Sequence, residues 1–118
     1  DGEKILGRWN INITASINME RRNRNLSPAV AKQLRARMAP YIGATLIATP
    51  DNQAILKRGE AAPSQEGQPK VMATGNWSRD GGSYKLTLEA KSLEVTFESS
   101  TRLILPKDGL MLVFDKEV

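Results

Sequence analysis

The sequence predicts a mainly β domain, an antiparallel up-and-down meander or barrel of about eight short strands with one α-helix inserted between the first and second strands. Apolar and polar residues alternate with a period of two over most of the chain, which is typical of strands with one buried face. Turn residues separate these segments at regular spacing, and one segment changes to helical periodicity. Eight strands can close into a barrel and so remove both exposed edges; an open or flattened barrel is the alternative.

The composition indicates one globular domain over residues 1–118, in which 40% of residues are hydrophobic and 25% are charged. No apolar run approaches the roughly 20 residues that cross a bilayer as a helix. The chain has no Cys and no His. The first absence excludes disulfides, thiolate nucleophiles and Cys-based metal sites, and the second removes the usual general base and the commonest metal ligand. Because no catalytic constellation is found among the other residues, we expect a protein that is not an enzyme and needs no metal or other cofactor.

The first strand is predicted from the stretch ILGRWNINITAS at residues 5–16. The even-numbered residues from 6 to 14 are polar apart from Leu6. The odd-numbered residues from 5 to 13 are Ile5, Gly7, Trp9, Ile11 and Ile13. Side chains alternate between the two faces of a strand, so the second set is expected to face the core.

The helix is predicted at residues 27–39, because Ser27 is a favourable N-cap and Pro28 a favourable first-turn residue. Val30, Leu34 and Met38 follow at steps of four and form one apolar stripe. The preceding stretch, residues 17–25, is compatible either with an earlier helical turn or with a polar connector.

In the rest of the chain, apolar and polar residues again alternate with a period of two, and this pattern predicts β-hairpins. A long loop is expected at residues 59–70, and turns are expected at residues 50–52, 80–82 and 108–109. The predicted strands lie within residues 44–58, 71–78, 83–90, 93–99, 101–105 and 110–116.

Two Gly-x-Trp motifs occur in predicted strands, Gly7 with Trp9 and Gly75 with Trp77. In each motif the glycine and the indole share one strand face, so the glycine leaves room for the large ring or for a crossing backbone. We expect both tryptophans to organise the core rather than to carry chemistry.

The order of these elements resembles that of small bacterial lipocalin-like domains, which are calycin-type barrels. The shared features are the two Gly-x-Trp strands, the inserted helix, the KLTLEA segment and a last strand with Leu112, Phe114 and Lys116. The resemblance implies a basic residue stacked across Trp9, for which Lys116 is best placed and Arg102 second. It also implies an exported protein, periplasmic or tethered to the membrane as a lipoprotein, that binds a small apolar ligand or a partner protein without catalysis.

For a ligand inside such a barrel, the helix would act as lid or plug. The candidate ligand-binding residues are Val30, Leu34, Met38, Tyr84 and Phe97. The inward-facing residues are numerous enough to fill an eight-stranded barrel, so a filled core and a small cavity are both compatible with the sequence. With a filled core, the alternative function is a structural or protein-interaction module that acts through its basic helix.

The positive charge of the chain is concentrated in one segment. The net charge is +4, whereas residues 17–39 alone contain six basic residues and one acidic residue, a net +5. The basic residues are Arg21, Arg22, Arg24, Lys32, Arg35 and Arg37. A solvated helix face is the first interpretation, and an acidic protein or an anionic membrane surface is the second. Nucleic acid ranks last, because the segment has no aromatic residue on which bases could stack.

Overall fold

A computed structural model describes residues 3–23, 25–59 and 70–117, and in it the chain forms a closed barrel of eight antiparallel strands in sequence order. Each strand pairs with the next along the chain, and the last strand closes the barrel on the first, with Trp9 opposite Lys116. The strands are β1 Gly7–Ile11, β2 Thr45–Ala48, β3 Gln53–Lys57, β4 Val71–Asp80, β5 Ser83–Leu88, β6 Lys91–Ser99, β7 Arg102–Lys107 and β8 Leu110–Lys116. The predicted mainly β, antiparallel, up-and-down architecture is confirmed, and the barrel is closed. Most of the predicted loop at 59–70 lies outside the described residues.

Two α-helices lie between β1 and β2, so the prediction of a single inserted helix is wrong. They are α1 Ile13–Asn23 and α2 Pro28–Met38, and a short 3₁₀ helix, Ala39–Tyr41, follows α2. The stretch at 17–25, which was compatible with helix or connector, is helical as far as Asn23.

The predicted first strand is too long, because the chain leaves the strand conformation after Ile11. Asn12 caps α1: its Oδ1 accepts a hydrogen bond from the backbone N–H of Ala15 at 2.9 Å. Ile13 is therefore the first residue of a helix and does not share a strand face with Trp9.

Helix α1 packs against the outside of β7 and β8. Its Met19 forms a small apolar cluster with Ile104 and Val113, which alternate with the inward-facing residues of those strands. The Ser16 hydroxyl accepts the backbone N–H of Val113 at 2.8 Å and donates to the carbonyl oxygen of Asn12 at 2.8 Å. Ser16 thus satisfies a β8 amide at the point where β1 has turned away.

Helix α2 begins as the sequence predicts. The Ser27 side chain accepts the backbone N–H of Val30 at 3.2 Å, and Pro28 is the first helical residue. Leu34 and Met38 are buried in the main core. β1 ends and β2 begins at the end of the barrel that also holds the β5–β6 and β7–β8 turns, so the helical connection leaves from this end and returns to it; we call it the helical end.

Large apolar side chains occupy the barrel interior. The largest fully buried ones are Trp9, Phe114, Ile5, Met38, Leu46, Leu56, Leu86, Leu88, Leu103, Leu105, Leu110 and Leu112. Gly75 allows a close approach of two strands, because a Cβ atom at this position would overlap the carbonyl oxygen of Thr87. This packing favours a filled core over a deep ligand cup.

Candidate binding cleft at the helical end

A cleft of about 390 Å³ opens at the helical end, where the start of β4 meets the β5–β6 and β7–β8 turns. Ala73 and Leu88 are buried and form its floor, while Met72 and Leu93 are partly exposed and form apolar walls. The charged rim consists of Glu89, Lys91, Lys107 and Asp108, next to Gly109. An apolar floor with a few polar groups at the rim is the usual composition of a small-molecule site.

Two tight turns shape this rim. In the β5–β6 turn both Glu89 and Ala90 have positive φ angles, 48° and 67°, and in the β7–β8 turn Asp108 and Gly109 have φ angles of 54° and 74°. Consecutive positive φ angles define the hairpin turns that suit twisted strands, and Asp-Gly is a favoured pair there. Glu89 and Ala90 hold this conformation without a glycine, and such strained residues cluster at functional sites.

Both carboxylates of the rim are already engaged by the protein. Glu89 Oε1 accepts the backbone N–H of Thr74 at 3.2 Å. Asp108 Oδ2 accepts the Tyr41 hydroxyl at 2.5 Å and Lys107 Nζ at 3.0 Å, and these hydrogen bonds hold the pKa of Asp108 below its ordinary value. Lys91 is exposed and makes no salt bridge with any described residue. The Lys91 charge contributes to the lowered pKa of Asp108. The rim therefore carries two carboxylates and two ammonium groups, and Lys91 is the ammonium group that makes no salt bridge with a described residue.

The end of α2 is fastened to the same rim. Arg37 Nη2 donates to the carbonyl oxygen of Asp108 at 2.5 Å, and Lys107 Nζ lies 5.5 Å from the Tyr41 ring centroid. Burial raises the pKa of Tyr41, which keeps its hydroxyl a donor to Asp108. From the sequence, Asp108 was predictable only as a turn residue, and Tyr41 and Lys107 carried no signal, because the contacts of Tyr41 with Lys107 and Asp108 join segments far apart in the chain.

The five predicted ligand residues do not form one site, and none of them lines the cleft. Leu34 and Met38 lie on the buried face of α2, and Val30, also on α2, packs against the same core. Tyr84 and Phe97 lie at the opposite end of the barrel, because one begins β5 and the other is near the end of β6; their ring centroids are 5.4 Å apart. A binding role for these residues stays a prediction.

The opposite end is closed by the N-terminal segment. The Tyr84 hydroxyl donates to Glu3, whose carboxylate also pairs with Arg79 Nη1 at 2.9 Å. The Tyr84 hydroxyl also accepts the backbone N–H of Lys4 at 3.2 Å. These contacts hold the segment before β1 across the barrel end.

Trp9 and Trp77 are core residues with satisfied indole groups. Trp9 Nε1 donates to the carbonyl oxygen of Ile5 at 2.9 Å, and Trp77 Nε1 donates to the carbonyl oxygen of Thr49 at 2.7 Å. Lys116 Nζ lies 5.6 Å from the Trp9 ring centroid, which is the contact that the resemblance implies. The other candidate for that contact, Arg102, instead pairs with Asp115, at 2.6 Å from Nε to Oδ1.

The predicted basic surface is exposed where the structure describes it. Its described members are Arg21, Arg22, Lys32, Arg35 and Arg37, and Arg24 lies outside the described residues. Arg22 Nη2 lies 3.5 Å from Glu98, and Arg37 contacts a backbone carbonyl, as above.

The closed antiparallel barrel, with a basic side chain over the first-strand tryptophan, is compatible with the calycin-like class of folds. No protein-family model, no curated protein and no solved structure matches the chain. None of the helices in the described ranges has the length and apolar character needed to cross a membrane.

Proposed function

We propose that the chain is a non-enzymatic, calycin-like binding domain whose cleft at the helical end takes a small amphipathic molecule with an apolar body and an anionic end. The cleft carries this proposal. Its volume of about 390 Å³ is within the range of small-molecule sites, and its floor and walls are apolar.

The filled interior limits how deep a ligand reaches. Leu86, Leu103 and Leu112 occupy the barrel below the cleft, so the apolar part of the ligand would rest on Ala73 and Leu88. Lys91 supports an anionic end, because its ammonium group is exposed at the rim and makes no salt bridge with a described residue. Binding without catalysis suits a rim whose carboxylates are held by protein donors, in a chain without His or Cys.

Export is part of the proposal and is supported by the resemblance to small bacterial lipocalin-like domains. The location would be periplasmic or membrane-tethered as a lipoprotein. A second candidate function, a structural or protein-interaction module, is supported by the packed barrel interior.

The charge at the rim is tested by titrating the folded protein with 1-anilinonaphthalene-8-sulfonate and displacing this dye with decanoate. Lys91→Gln should weaken decanoate binding about tenfold, because a hydrogen bond to a charged group contributes roughly 1.5 kcal/mol or more. Lys85→Gln is the matched control: it lies on β5, is exposed outside the cleft, and should leave the affinity unchanged.

The apolar wall is tested with a second pair of variants. Met72→Gln should weaken binding of both dye and decanoate. Met111→Gln should not, because Met111 is also partly buried but packs beside α1, outside the cleft. Failure of the folded protein to bind either probe, or equal losses in both methionine variants, would contradict the ligand proposal and favour the interaction module.

A further inference from the structure

A groove of about 530 Å³ lies on the outside of the barrel, where the last turn of α1 and the connector that follows it meet the start of α2. The residues that shape it are Arg21 on α1, Leu26 and Ser27 in the connector, and Pro28, Ala31 and Arg35 on α2. The three α2 residues follow at steps of three and four, so they share one face of that helix. None of these residues lines the cleft at the helical end, so the groove is a separate surface feature.

The floor of the groove is apolar and its edges are polar. Leu26 is half-buried and packs against the main core, and Ala31 is buried. Arg21, Ser27 and Arg35 are exposed. A molecule seated in the groove would therefore contact apolar surface below it and guanidinium groups at the edges.

The two arginines at the edges carry charges that are available to a partner. Neither Arg21 nor Arg35 makes a salt bridge with any described residue. By contrast, Arg22 lies 3.5 Å from a glutamate of β6, and Arg37 donates to a backbone carbonyl oxygen. The only acidic residue within α1 and α2, Glu20, is buried. The groove is therefore a positively charged site, and its charge complements an anionic partner.

The arginines, rather than the N-terminus of α2, supply the hydrogen-bond donors for such a partner. Pro28 has no backbone N–H, and the Val30 N–H is taken by the Ser27 side chain at 3.2 Å. A guanidinium group presents a planar fork of N–H donors that matches a carboxylate. We therefore expect carboxylates to bind at the two edges of the groove.

The shape of the groove favours an acidic peptide segment over other anions. A small-molecule site usually encloses most of its ligand, whereas this groove is bordered mainly by exposed residues. A lipid bilayer presents a plane, which does not fill a concave groove. Single-stranded nucleic acid is held by aromatic stacking, and residues 13–38 contain no aromatic residue. A peptide can place an apolar side chain on the floor and acidic side chains on both sides of it.

We propose that the groove between α1 and α2 binds an acidic segment of a partner protein, with an apolar side chain on Leu26 and Ala31 and carboxylates at Arg21 and Arg35. The inference goes beyond ligand binding in the cleft and does not depend on it. Because exposed ion pairs contribute little each and are screened by salt, the binding is expected to be weak and salt-sensitive.

The test is an amide NMR titration at low salt with the capped synthetic peptide EELEE, in which a leucine stands between two acidic pairs. Saturable shifts are expected at the amides of Leu26, Ser27 and Ala31, and added salt should weaken the binding. The neutral peptide QQLQQ should not bind, and EEGEE should bind more weakly because it lacks the apolar side chain. Inorganic phosphate at the same concentration should not saturate these shifts.

Variants of the two arginines locate the binding site. An exposed ion pair strengthens binding up to about fivefold, so R21Q/R35Q should weaken EELEE binding by about tenfold. The matched control K57Q/K85Q removes two exposed lysines on β3 and β5, lowers the net charge by the same amount, and should weaken binding by less than about twofold. Lys32→Gln, exposed on α2 outside the groove, should lose less than Arg35→Gln. Thermal unfolding curves should match the unsubstituted chain, because the substituted side chains are exposed.

Any of five results would overturn the proposal. They are the absence of saturable shifts at the groove amides, equal binding of EELEE and QQLQQ, saturation by phosphate at the same concentration, equal losses in the two double variants, or tighter binding of a single-stranded oligonucleotide or of phosphatidylglycerol vesicles that R21Q/R35Q abolishes. The last result would assign the groove to a nucleic acid or a lipid. Decanoate binding should be no weaker in R21Q/R35Q than in K57Q/K85Q, which separates this test from that of the cleft.

Discussion

Glu89 and Ala90 adopt left-handed backbone conformations at the edge of the cleft, although neither is a glycine. An L-residue with a side chain is destabilised there by roughly 1–2 kcal/mol because its Cβ approaches the carbonyl oxygen. Gly81, in the β4–β5 turn, has a φ angle of 63° and no neighbouring atom within 4 Å of a Cβ built on it. These two turns therefore provide a reciprocal test of backbone strain.

We expect Ala90→Gly to stabilise the fold by about 0.5–1 kcal/mol, because the relief of strain exceeds the added flexibility of the unfolded chain. Gly81→Ala should destabilise the fold by about 1 kcal/mol, because alanine is strained at the positive φ angle of this position. Urea unfolding at one temperature measures both. Loss of stability in Ala90→Gly would show that the turn is not strained.

Trp9 illustrates what a single residue reveals before the structure is known. Its parity with Ile5 and Ile11 predicted a buried ring, and Trp9 is fully buried. Tyr84 and Phe97 were equally apolar candidates for a ligand site, yet position along the strand, and not residue type, put them at the opposite end of the barrel from α2.

The junction between β1 and α1 depends on two polar side chains. Asn12 caps the helix and also donates from Nδ2 to Asp115 Oδ2 at 3.0 Å, and the fully buried Ser16 accepts the backbone N–H of Val113. Removing the Ser16 hydroxyl would leave this β8 amide buried without a partner.

Ser16→Ala should therefore destabilise the protein by about 2 kcal/mol, the usual effect of an unsatisfied buried donor. Thr14→Ala, two residues earlier on the exposed side of α1, is the control and should change stability by less than about 0.5 kcal/mol. Denaturant unfolding of both variants is the measurement. Equal stabilities would mean that Val113 N–H does not depend on Ser16.

The helices also show why one element was predictable and its neighbour was not. Ser27 and Pro28 mark the start of α2 without ambiguity. At α1 the residues Ile13 and Ile17 are four apart, a spacing that fits both a helical stripe and an even-numbered strand alternation. The Asn12 cap decided between the two periods, and that contact is visible only in three dimensions.

The molecule as a whole adds what no single segment encodes. Antiparallel hairpins were predictable from alternation and turns, but closure of the barrel depends on pairing β1 with β8, more than 100 residues apart at Trp9 and Lys116. The cleft likewise joins β4, the β5–β6 turn and the β7–β8 turn. Because the cleft residues are scattered along the chain, sequence periodicity predicted which residues form the core but not which residues line the cleft.

The pH dependence of stability follows from the ionic contacts. The hydrogen bonds from Tyr84, Tyr41 and Arg102 lower the pKa values of Glu3, Asp108 and Asp115, respectively. Carboxylates with lowered folded-state pKa values stabilise the protein above their unfolded pKa values, near about 4, and this contribution disappears as the pH falls through the folded values.

Burial raises the pKa values of Tyr41 and Tyr84, so their contribution is lost as the pH rises above about 10. With no His or Cys in the chain, the melting temperature should be nearly constant between about pH 6 and 9 and fall on both sides. Calorimetry across this range checks the expectation. A stability step between about pH 6 and 8 would contradict it.

A methyl NMR titration with decanoate tests directly whether the filled barrel binds its ligand at the cleft of the helical end. We expect saturable shifts at the cleft residues Met72, Ala73, Leu88 and Leu93, with little change at the inner Leu46, Leu56 and Leu103. Dominant shifts at those inner leucines would place the ligand inside the barrel, and the absence of saturable shifts at the mouth would contradict binding there.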